Sequence, residues 1–159
     1  MDRSEFFSIL IDQLVQIELS FLSDSAEQIA REEVRTGYEK LLAQLTWFEQ
    51  LSSVIFLYSL ALAKILAAEL THSYRFNRGE FLFVYTGALL LSLKLLDDSG
   101  VWYAEDFAKA TDISVDLVSE METFVFIDVL QFNLRVTEQL LEQEWLAFQL
   151  SKTSAADLC

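Results

Sequence analysis

Ala88-Leu-Leu-Leu-Ser-Leu-Lys-Leu-Leu-Asp-Asp98 decides how this chain is read: a greasy run whose first charge is Lys94 and which stops on two aspartates. Extended upstream to Phe81, the run is hydrophobic on every side of a helix, the pattern of a helix surrounded by others. Residues Phe81 to Leu96 are therefore predicted as a central helix. Gly87, Ala88 and Ser92 are small enough to let neighbouring helices come close to its backbone. Downstream, Gly100-Val-Trp-Tyr103 reads as an aromatic turn and Tyr103 to Lys109 as a short helix. Asp112-Ile-Ser-Val-Asp116 then opens a longer helix to about Leu130, with Ser114 as its N-cap and Asp116 favoured by the helix dipole. It carries Ser119-Glu-Met-Glu122 and closes on Gln131-Phe-Asn-Leu134.

The remaining segments read as helices too. Ser4 to Leu22 places Phe7, Leu10, Leu14, Ile17 and Phe21 on one face, which suits core packing or a partner groove. A membrane-surface helix has the same look but carries Lys or Arg on its polar face, and none follows Arg3 here. Ser25-Ala-Glu-Gln28 has the capping-box form, so the next helix starts there and runs towards Phe48, with Ala30, Val34, Tyr38, Leu41, Leu45 and Phe48 inward and Gly37 as a place where it splits. Ser52 or Ser53 caps a third helix to Leu70, and Thr71 to Asn77 reads as a loop. Thr137 caps a last helix from Glu138 to Leu150, leaving Ser151 to Cys159 as a frayed tail.

Composition agrees. The chain of 159 residues has no proline, four glycines and a hydrophobic fraction of 53%, which leaves little punctuation for sheets or tight turns. One all-α domain follows. The net charge of −14 argues against nucleic-acid binding, which draws on phosphate neutralisation by Lys and Arg. The single cysteine, Cys159, cannot form an internal disulfide and suits a reducing compartment. Asp2 rules out N-myristoylation, and Cys159 lacks the residues a prenylation signal needs after it, so no membrane anchor is expected. Val54 to Ala63 and Phe81 to Leu93 are apolar, but each is broken by a lysine short of the roughly 18 residues needed to cross a bilayer. A cytoplasmic or nuclear protein is the expectation.

Chemistry is sparse. The only histidine, His72, lies in the predicted loop and reads as a surface residue. No Cys or His metal spacing, phosphate loop or nucleophile motif is present, so no catalytic residue, metal site or cofactor is expected. Asp97 and Asp98 form a carboxylate pair, but two acids at a helix end read more simply as a solvated turn. Lys94 carries more. Near the end of a central helix its ammonium must reach water or a partner. It either complements the helix dipole and extends into solvent, or emerges beside the Ser114 helix, near Glu122.

Lys94-x-x-Asp-Asp98, Val101-Trp102, Asp112-Ile-Ser-Val-Asp116 and Glu120-Met-Glu122, in that order, resemble the box of cyclins, most closely the cyclin Y and Pho80-type branch. The resemblance implies residues 37–134 as a five-helix cyclin box around the Phe81 helix, residues 1–36 as N-terminal flanking helices, and residues 135–159 as a C-terminal helix and short tail. It implies a non-enzymatic regulatory subunit of the cell cycle type that binds and activates a cyclin-dependent kinase catalytic subunit through the kinase's αC segment. Lys94 and Glu122 would be the kinase-binding residues. The alternative is a cyclin-fold interaction or scaffold protein that activates nothing. The segment from Glu122 to Phe132-Asn-Leu134 is one residue longer than the cyclin Y pattern. That predicts a bulge or a rotation of about 100°, which would put Thr123 in the place of Glu122. No counterpart is expected for the membrane anchor found at the start of cyclin Y proteins.

Overall fold

A computed structural model describes residues 2–21, 27–46, 51–70, 80–96, 104–131, 133 and 136–157. The Ser25 cap, the Thr71 to Asn77 loop with His72, Asp97 and Asp98, the Gly100 to Tyr103 turn, Phe132, Leu134 and Cys159 lie outside the described residues. The described residues are helical, with no strand among them. The order is α1 (Arg3–Leu19), α2 (Glu27–Thr46), α3 (Ser53–Leu70), α4 (Glu80–Leu96), α5 (Ala104–Thr111), α6 (Val115–Thr123) continued by a π-helical segment (Phe124–Val129), and α7 (Glu138–Asp157).

Local chemistry explains most of the boundaries. The Asp2 carboxylate accepts from the Glu5 N–H at 2.8 Å, so α1 starts at Arg3, one residue earlier than the apolar periodicity indicates. Ser114 caps α6 through the Leu117 N–H, and Thr137 caps α7 through the Leu140 N–H at 3.1 Å, each supplying an acceptor for an orphan amide. Two expectations are corrected. Helix α2 runs unbroken through Gly37, and α7 continues past Leu150 to Asp157. A Cβ on Gly37 would lie 3.1 Å from the Leu82 side chain, so this glycine serves the approach of α4 rather than a break. The extra turns of α7 are tied down in part by Ser151, whose hydroxyl donates to the Ala147 carbonyl at 3.1 Å.

Helix α4 is enclosed: every residue from Val84 to Leu93 is buried. Helices α3 and α6 and the π segment pack against it. Helix α3 continues through Lys64, which corrects the reading of its apolar run as too short for a membrane. Its 18 residues have a mean hydropathy of 1.8, long and apolar enough to cross a bilayer by length and composition. Here that apolar surface faces α1, α4, α7 and the π segment. Lys64 pairs at 2.5 Å with Glu144 of α7.

The buried row of α1 is Phe6, Leu10, Leu14 and Glu18, with Ile11 and Val15 beside it, while Phe7 and Ile17 are only partly covered. Glu18 is buried because another helix needs it. Its Oε1 accepts from the Leu82 N–H at 3.0 Å and from the Tyr38 hydroxyl at 3.2 Å. Leu82 is the third residue of α4, whose first N–H groups have no partner inside their own helix. A carboxylate from α1 thus caps the start of α4.

Candidate interaction site at Lys94 and Glu122

Gly87 sets the crossing of α4 and α6. A Cβ there would fall 2.7 Å from the Met121 carbonyl oxygen and 2.9 Å from the Val125 side chain, so only a glycine lets the two backbones approach this closely. Val118 and Met121 are buried in this contact region. Glu122, the next residue after Met121, is brought to the end of α4 where Lys94 stands in the last turn.

The lysine and the glutamate meet there. Lys94 Nζ donates to Glu122 Oε1 at 2.9 Å and lies 2.7 Å from Oε2. Oε2 is buried and has this ammonium as its ion-pair partner. The side chains are 33% and 22% exposed, so the pair sits at the rim of the α4–α6 contact and not in the core. The two sequence readings of Lys94 prove compatible: it occupies the dipole-favoured last turn and also reaches Glu122.

The helix widens into a π turn after Glu122, not before it. Leu130 N–H donates to the Val125 carbonyl at 3.0 Å, a five-residue step. The buried positions Val118, Met121, Val125 and Leu130 widen their spacing to match. A π turn inserts one residue while keeping the phase of the inward face. Glu122 therefore keeps the register set by Ser114 and is the residue that meets Lys94, while Thr123 is exposed one step round.

Apolar side chains flank the pair. Leu95, next to Lys94, is 51% exposed, and Val115, two turns before Glu122 on the same face of α6, is 40% exposed. Neither is marked by sequence, because an apolar residue on an amphipathic helix reads as inward until its neighbours are known. The arrangement is an opposed charge pair with exposed apolar residues on the same two helices. Among the described residues no group of three or more His, Cys, Asp or Glu side chains is gathered to hold a metal.

No protein-family model matches this chain, and no solved structure matches it. The residues themselves therefore carry the functional reading.

Proposed function

We propose that this chain is a cyclin-like regulatory subunit that binds a cyclin-dependent kinase through the kinase's αC segment and biases it towards its active arrangement. The observation that carries the reading is the Lys94–Glu122 pair at the rim of the α4–α6 contact, with exposed Leu95 and Val115 beside it. The resemblance of the Lys94 to Glu122 stretch to a cyclin box supplies the kind of partner. A protein kinase is competent only when its β3 lysine, αC glutamate and metal-binding aspartate are aligned. A rigid helical surface that packs better on αC in that arrangement shifts the population towards it. The charges fix register and the apolar neighbours supply contact energy. Under this reading the internal pair opens or shares its groups with backbone of the kinase.

The reading makes a separable prediction. A partly exposed ion pair contributes at most about 1 kcal/mol to folding, whereas losing a charge that becomes buried at an interface costs about 2 to 5 kcal/mol of binding. Lys94→Ala and Glu122→Ala should therefore each lower the melting temperature only slightly while weakening kinase binding at least tenfold, about 1.4 kcal/mol. The experiment recovers the kinase from native lysate on the tagged chain, then measures each variant's affinity for it beside a melting curve. A kinase that binds without gaining activity on a generic peptide would favour the scaffold role. Recovery of no kinase, or unchanged affinity of both variants, would remove the proposal.

A further inference from the structure

A groove of about 400 Å³ lies between the first turns of α3 and α7, apart from the Lys94–Glu122 site and sharing no residue with it. Its apolar lining is Val54 and Leu57 from α3 and Leu141 and Trp145 from α7, and Glu138 and Glu142 stand on its α7 side. Val54 and Leu57 are three residues apart and Leu141 and Trp145 four, so each pair forms a one-turn row on its helix. Two such rows side by side take the ridge of a third helix between them. Val54 is 43% exposed, well above its helix neighbours from Ile55 to Ala63.

The charge pattern selects the occupant. Glu144, on the inner side of α7, is engaged by Lys64. Glu138 and Glu142 are exposed, four residues apart, and make no ion pair among the described residues. No lysine or arginine lines the groove among those residues, in a chain of net charge −14. Such a rim repels anionic lipid surfaces and nucleic acid, both of which need cationic side chains. We propose that this groove receives an amphipathic helix of a protein partner whose apolar residues, at i and i+3 or i+4, enter between Val54, Leu57, Leu141 and Trp145. Lysines or arginines flanking those residues face Glu138 and Glu142. Trp145 is the anchor, being large, rigid and able to stack under an arginine.

The test uses the full chain and two labelled synthetic helices of about 18 residues, five turns. They share one row of leucines at i, i+3 and i+7 and differ only in lysine or glutamate flanks. Fluorescence anisotropy should show the lysine-flanked helix binding at least tenfold more tightly than the glutamate-flanked one, about 1.4 kcal/mol. The double variant Glu138→Lys with Glu142→Lys should weaken that binding at least about fivefold, and Val54→Asp should do the same. Glu105→Lys with Glu120→Lys changes net charge equally on α5 and α6 and should leave it within about twofold. Circular dichroism checks that each variant keeps its helix content, and Val54, being partly exposed, tolerates the change. Equal weakening by both double variants would overturn the proposal in favour of diffuse charge attraction. Full binding by Val54→Asp would show that the helix does not use the groove. A dimer in sedimentation that Val54→Asp converts to monomer would assign the groove to a second copy of the chain instead.

Discussion

Gly87 shows how much one missing atom controls. Its Cα faces the Met121 carbonyl, and the added methyl of an alanine would meet that oxygen at 2.7 Å, where backbone and not a flexible side chain has to move. Alanine ordinarily favours a helix interior over glycine by about 1 kcal/mol. Overpacking a tight contact costs about 1 to 3 kcal/mol, and against main chain the clash dominates. Gly87→Ala should therefore be destabilising, by up to about 2 kcal/mol, read as a lower urea midpoint with unchanged m-value. It should also loosen the Lys94–Glu122 contact, because separating α4 from α6 moves the two ends apart. A stability gain in that variant would mean the crossing is wider than described.

The π segment is the element whose geometry could not be taken from helical propensity. Phe124-Val-Phe-Ile-Asp-Val129 contains no glycine or proline, so nothing in its composition marks a break from the α-helix that leads into it. What imposes the wider turn is burial: Val125 and Leu130 are both covered while Ile127 and Asp128 face out. A five-residue step in an α-helix would turn Leu130 away from the core by about 140°. Deleting the exposed Ile127 should convert the segment to regular α-helix, with the Leu130 N–H to Val125 carbonyl bond becoming an ordinary four-residue bond. We expect that deletion to keep the helix content and to change stability by less than about 2 kcal/mol. Inserting an alanine between Ser119 and Glu120 should be far worse, since it rotates Glu122 and Val125 by about 100° against α4. Thermal melting of the two variants checks the pair. An insertion tolerated as well as the deletion would sink this account.

At the scale of the whole molecule, two tyrosines report on the core. Tyr38 and Tyr85 are fully buried and meet edge-on at 5.8 Å between ring centroids. The Tyr38 hydroxyl donates to Glu18. Ser59 Oγ donates to the Phe56 carbonyl and lies 2.9 Å from the Tyr85 hydroxyl, so its one proton is used and Tyr85 is the donor to it. Burial pushes both phenols well above the ordinary tyrosine range, and the nearby Glu18 charge adds to this for Tyr38. Above pH of about 10 the unfolded chain loses these protons and the folded chain keeps them. The unfolded state then binds fewer protons, so stability falls with rising pH by about 1.4 kcal/mol per unit for each such tyrosine. Urea unfolding should show little pH dependence from these groups below about pH 9 and approach this slope above about pH 10, and Tyr85→Phe should reduce it by one tyrosine's share. An unchanged slope in Tyr85→Phe would mean that its phenol is not held neutral by the fold.

What the sequence determined by itself is whatever acts within a turn or two of helix. The caps at Ser114 and Thr137, the all-round apolarity of Phe81 to Leu96 and the place of Lys94 in its last turn all depend on near neighbours and all stand in the structure. Tertiary structure alone decided the rest. Glu18 looks like an outward residue because its partner, the Leu82 N–H, is 64 residues away. Gly37 looks like a helix breaker until Leu82 packs against it. The α3 run has the composition of a membrane span, and only the surrounding helices and the Lys64–Glu144 pair, 80 residues apart, make it a core. Periodicity records which face is apolar, but not which distant backbone or charge that face will meet, because burial satisfies a polar group through contacts the local pattern does not contain.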